Sequence, residues 1–160
     1  MAYNDKTYVI FDAGNDIRYY SLMKAWRENK NIDFNFYDAH DLNPIIWASG
    51  EQYIKSKLRE RMNIAKQVIV LIGENTKYHT KYIQWEIELA KEMSLPIIVA
   101  NLDCCNRCND SLCHPSLKMI DSIMHVPFGP HEIKFAIDNF SSKPNNPEKR
   151  GHSWYYKKFD

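Results

Sequence analysis

The chain has 160 residues, 44% of them hydrophobic and 26% charged. That suits one compact domain burying about 70% of its unfolded surface and excludes wholesale disorder, collagen-like repeats and a long coiled coil. Lysine plus arginine number 21 against 20 acids, a net charge of +1, so no global field recruits nucleic acid or acidic lipid.

The first sixteen residues carry only a short apolar run and three acids, which does not read as a secretory signal. The longest apolar runs, such as Val68 to Gly73, are too short to span a bilayer. The expected location is the cytoplasm.

In chain order, Tyr8 to Phe11 predicts a first strand. Tyr19, Leu22, Met23 and Trp26 then mark one face of a helix, with Asp16 as its N-cap. Phe34 to Tyr37 predicts a second strand, and Ile54, Leu58, Met62 and Ala65 a second helix. Val68 to Ile72 is an unbroken β-branched run, the pattern of a strand covered on both faces. A third helix is expected from about His79 to Met93, started at Asn75 or Thr76 and stopped by Ser94-Leu95-Pro96. Ile97 to Ala100 and Ile123 to Val126 complete five strands. A last helix from Pro130 to about Phe140 turns Ile133, Ala136, Ile137 and Phe140 to one side.

Alternation of this kind predicts an α/β fold, a five-stranded parallel sheet with helices on both faces. Residues 1–140 form the domain in this reading. Residues 141–160 form a proline- and serine-bearing linker and an aromatic, basic tail that docks on its own domain or on a partner. Ligand sites in such sheets lie beyond the carboxyl ends of the strands, here Asp12 to Asp16, Asp38 to Gly50 and Gly73 to Tyr78. The five glycines spell neither G-x-G-x-x-G nor a Walker loop.

On a wheel of about 100° per residue, Tyr82, Ile83, Leu89, Ala90 and Met93 cluster around Glu86, whereas Gln84, Glu88, Lys91 and Glu92 fall opposite. Glu86 is therefore aimed inward. A carboxylate there is costly unless it is partnered, by Arg18 or Arg59 for example, or borders a cavity. A lone carboxylate without a partnered nucleophile or metal suits one task well, which is steadying positive charge on a ribose as a good leaving group departs. Nicotinamide in its pyridinium form is such a leaving group.

Four stretches resemble a known family. Tyr8-Val-Ile-Phe-Asp-Ala-Gly-Asn-Asp-Ile-Arg18 resembles the first box of TIR domains, and Phe36-Tyr-Asp-Ala-His-Asp-Leu42 the second strand and the start of the BB loop. Lys57 to Thr76 with Tyr82-Ile-Gln-Trp-Glu-Ile-Glu-Leu-Ala90 is similar to the prokaryotic TIR-like branch that includes Thoeris antiphage proteins. The resemblance spans roughly Tyr8 to Phe140 and implies a flavodoxin-like three-layer fold.

By the same resemblance, Glu86, four residues after aromatic Tyr82, is the catalytic residue of an NAD glycohydrolase or ADP-ribosyl cyclase. Phe11, Asp12 and Ala13 line the floor of its pocket, with Asp38, Trp47 and Tyr82 as further substrate contacts. The implied partners are NAD as substrate, further copies of the chain through TIR–TIR contacts, and a separate effector reached by a nucleotide signal. The alternative is a non-catalytic TIR-like module acting through self-association.

Cys105, Cys108, Cys113 and His114 carry zinc-compatible side chains, but the short chain between the pairs favours free thiols, and no metal or other cofactor is expected. Asp12 and Asp16 invite a phosphoacceptor reading, which fails because the third strand ends in Leu71-Ile-Gly-Glu-Asn75. His79, His125 and His131 read as ordinary helix or strand-end residues, and the basic tail as a solvated segment rather than a nucleic-acid site.

Overall fold

The architecture is that of a computed structural model in which residues 6–32, 34, 36–38, 48–78, 80–105, 111–118, 123–141 and 153–155 are described. The strands are β1 (Lys6–Ile10), β2 (Tyr37–Asp38), β3 (Gln67–Ile72), β4 (Ile97–Asn101), β5 (Ile123–Pro127) and β6 (Ser153–Tyr155). All pair in parallel, in the order β2-β1-β3-β4-β5-β6. The first five follow a known doubly wound order whose winding reverses at β1 and β3. Among the described residues the expected five strands are thus corrected to six. The sixth comes from the stretch set apart as a tail and pairs Ser153 with Ile123 and Tyr155 with His125.

The helices are α1 (Ile17–Glu28), α2 (Glu51–Asn63), α3 (Thr80–Glu92), α4 (Pro115–Lys118) and α5 (Pro130–Ala136), the last continued as a π-helical turn over Ile137–Ser141. Tyr8, Ile10, Val68, Val70 and Ile72 meet Ile54, Leu58 and Met62 of α2 and Ile83, Ile87 and Ala90 of α3 on one side. Val9, Ile69, Leu71 and Ile98 meet Tyr20 and Met23 of α1 and Ile133 and Ala136 of α5 on the other. The alternation within β1 and β3 is the period-two geometry of a strand feeding two cores. No helix among the described residues is long and apolar enough to cross a membrane.

Two expectations shift. Leu22 is 42% exposed, while Tyr20 and Met23 are buried, so the inward arc of α1 is rotated by about one residue. The cause is Phe11, whose ring stacks on Tyr20 at 4.7 Å and draws that residue inward. Strand β2 begins at Tyr37 rather than Phe34. Phe34 instead turns into an aromatic cluster with Trp26, at 5.6 Å, and Phe36, at 5.7 Å.

Candidate active site

Helix α3 is positioned by the turn that leaves β3. The Thr76 hydroxyl oxygen accepts the Gly73 N–H at 2.8 Å, and the Tyr78 N–H bonds to the Asn75 carbonyl at 3.0 Å. From Thr80 onward the chain alternates buried and solvated positions with helical period. Ile83, Glu86, Ile87, Leu89 and Ala90 are buried, and Gln84, Glu88, Lys91 and Glu92 are exposed. Glu86 is 5% exposed. A carboxyl group has therefore been carried beneath α3 by the same periodicity that buries its apolar neighbours.

Its surroundings come from three elements. The Tyr8 phenol, from the middle of β1, and the Arg61 guanidinium, from the last turn of α2, both lie within electrostatic reach of the Glu86 carboxyl. Arg61 is itself 5% exposed. Burial pushes the Glu86 carboxyl up from 4.5 to about 8, against the opposing pull of the nearby Tyr8 phenol and the Arg61 charge. Burial, together with the adjacent carboxylate, holds the Tyr8 phenol well above its ordinary value. Burial thus favours the protonated form of the group beneath α3, and a positive charge beside it favours the ionised form.

Neither arginine named from the sequence as a partner fills that role. Arg59 donates to both oxygens of Glu92, at 3.2 and 3.3 Å, on the surface. Arg18 lies over the Tyr19 ring at 4.9 Å. Arg61 was findable, because it falls on the arc of α2 marked by Ile54, Leu58 and Met62, where a long basic side chain needs a buried partner.

Tyr82 is half-buried one turn before Glu86 and meets Trp85 edge-on at 5.5 Å. Phe11 is in the core of the opposite face, stacked on Tyr20. Asp12 is buried in a local turn, with Oδ1 accepting the Gly14 N–H at 3.1 Å and Oδ2 accepting from Asn15 Nδ2 at 2.6 Å. Ala13 is exposed. Asp38 ends β2 opposite Thr7, its side chain outside the described residues, as is Trp47. The structure thus gathers Glu86, Tyr8 and Arg61, with Tyr82 a turn away, and does not place the Phe11 ring with them.

Asp16 precedes α1 as expected, but its side chain makes no capping bond. Oδ2 instead accepts from the Thr76 hydroxyl at a long 3.5 Å, and burial, then the nearby Asp12 carboxylate, raise its carboxyl above the usual range. Of the cysteine-loop residues, Cys105 is exposed, Cys113 and His114 are buried, and Cys108 lies outside the described residues. His114 Nδ1 accepts the Ser116 N–H at 3.1 Å at the start of α4, which occupies that nitrogen.

The clefts lined by described residues include two. One, of about 300 Å³, opens at the carboxyl ends of β1, β3 and β4. The other, of about 400 Å³, runs along the outer faces of α2 and α3 past Lys55, Arg59, Trp85 and Glu92. Glu86 lines neither. A family model described as Thoeris protein ThsB, TIR-like domain, matches residues 8–107, a span that holds Tyr8, Arg61, Tyr82 and Glu86.

Proposed function

The chain belongs to the TIR-like domain family of the Thoeris protein ThsB, and from that premise we propose that it consumes NAD in antiphage defence, with Glu86 as the catalytic carboxylate. The observation that carries this reading is the Glu86 carboxyl itself, buried beneath α3 inside the matched span and raised to about 8.

In the reaction, the bond between the ribose C1′ and the nicotinamide nitrogen breaks, and its electron pair leaves with nicotinamide, which becomes neutral. The positive charge passes to the ribose as an oxocarbenium ion. The approaching pyridinium cation favours the ionised form of Glu86, and the resulting carboxylate then faces the sugar charge as it develops. Water captures the cation to give ADP-ribose, or a hydroxyl of the same molecule captures it to give a cyclic product; either way one proton is released. The product is a nucleotide signal read by a separate effector. Tyr8 and Arg61 are positioning residues that hold the carboxyl in place before substrate arrives.

A second reading is favoured by the closeness of Arg61 and the 5% exposure of Glu86. In it the trio is a structural network, and the chain acts as a non-catalytic module through self-association. Mass spectrometry of the small molecules formed from NAD by the assembled wild-type protein separates the two. Nicotinamide together with ADP-ribose or a cyclic isomer supports the enzyme, and unchanged NAD with assembled, triggered protein supports the module.

A further inference from the structure

The cleft of about 300 Å³ at the carboxyl ends of β1, β3 and β4 is not lined by Glu86. Its place follows from the strand order. β1 sits between β2 and β3, and the segment leaving β1 enters α1 on one face while the segment leaving β3 enters α3 on the other. The crevice opened by such divergence is where open α/β sheets take ligands.

The lining is mixed in a particular way. Asp16, 6% exposed, keeps acceptor capacity, since its one side-chain hydrogen bond among the described residues is the 3.5 Å contact from Thr76, and a carboxylate offers about four lone-pair positions. Glu74 and Asp103 add two more carboxylates, and Arg18 is the one basic side chain among the described lining residues. Tyr19 contributes an aromatic wall, with the Arg18 guanidinium donating to its hydroxyl at 3.2 Å.

Three carboxylates against one guanidinium oppose phosphate on its own and suit a ligand that donates hydroxyl hydrogens, so a diol must lead the binding and a phosphate can add to it only where it meets Arg18 at the exposed rim. A buried carboxylate matches a vicinal diol, the Tyr19 side chain bounds the space for a sugar, and the exposed guanidinium beside that ring matches a single phosphate. The volume lies at the small end of ligand sites, roughly 300–1,000 Å³, the size of a nucleoside rather than a dinucleotide. We propose that this cleft binds a nucleoside 5′-monophosphate, its ribose diol on Asp16 and its phosphate on Arg18. The site does not depend on Glu86 cleaving anything and serves equally in a non-catalytic module.

The test is isothermal titration of the wild-type chain with AMP, 2′,3′-dideoxy-AMP, adenosine and inorganic phosphate. Saturable AMP binding, weakened at least about tenfold by loss of the diol, is expected, with inorganic phosphate failing to compete. Arg18→Ala, an exposed change whose fold is checked by circular dichroism, should weaken AMP by at least about tenfold and leave adenosine unaffected. The proposal is overturned by the absence of saturable heat with millimolar AMP, by equal affinity for AMP and its dideoxy form, by inorganic phosphate competing as well as AMP, or by indifference to Arg18→Ala. AMP contains no nicotinamide bond, so a negative titration removes this site and leaves the NAD reading standing.

Discussion

Glu86 and Glu88 stand two positions apart on α3 and meet opposite environments. Glu88 is exposed and accepts from Gln84 Nε2 at 2.8 Å, whereas Glu86 is under the helix with Tyr8 and Arg61. In the catalytic reading, Glu86→Gln therefore lowers nicotinamide release by at least about a hundredfold, and Glu88→Gln leaves it within about twofold. Because the carboxylate is the working form, the free-enzyme rate rises as pH climbs through about 8, and a flat profile between pH 6 and 9 would contradict it.

Stability carries the opposite sign. The folded chain keeps the Glu86 proton from 4.5 up to about 8 while the unfolded chain has lost it, so stability falls with rising pH across that window. At about 1.4 kcal/mol per unit the penalty reaches roughly 5 kcal/mol as an upper bound. Burial lowers His125 from 6.5 to about 4, so stability is also lost as pH falls between those values. The two slopes oppose each other between 4.5 and 6.5, which predicts a plateau there with a decline on either side. Urea unfolding across pH measures it, and Glu86→Gln should erase the alkaline decline. The inward Glu86 was legible from helical spacing alone. Its partners are less legible, because Arg61 resembles the solvated basic residues around it although it lies on the buried arc of α2, and Tyr8 is one of an unbroken apolar run whose pairing with α3 no local pattern marks.

At the scale of elements, the turn from β3 to α3 depends on Gly73. A Cβ there would stand 2.7 and 2.9 Å from the two carboxylate oxygens of Asp16, a short and buried side chain with little room to retreat. Gly73→Ala is expected to cost about 1–3 kcal/mol, read as a lowered urea midpoint, and unchanged stability would show that Asp16 moves freely. Strand β6 covers the edge of β5. Ending the chain after Ser141 should lower the melting temperature by about 3 °C or more and promote concentration-dependent association through the bared edge, as measured by calorimetry and sedimentation. A truncated chain that melts and sediments like the full one would make β6 dispensable. The covered strands β3 and β4 were legible because β-branched runs have few other uses. β6 was not, because three residues give too little alternation to mark a strand, and β2 was displaced because aromatic side chains at 34 and 36 serve packing as readily as a ladder.

For the molecule as a whole, alternation of strands and helices gave the layered parallel architecture, since covering a parallel sheet on both faces leaves few other arrangements. The position of Glu86 against the rest was set by three elements far apart in sequence, which no local pattern encodes. The cleft at Asp16 was hidden for the same reason, as it exists only where the segments leaving β1, β3 and β4 meet. In the proposed reading, what joins the architecture to antiphage chemistry is one carboxyl group held beneath α3. The most direct measurement is the initial rate of nicotinamide release from NAD by assembled wild-type protein and by Glu86→Gln at pH 8.5, with folding of both confirmed. The account predicts rapid release by the wild type and at least about a hundredfold loss in the variant. Equal release by the two proteins would contradict it.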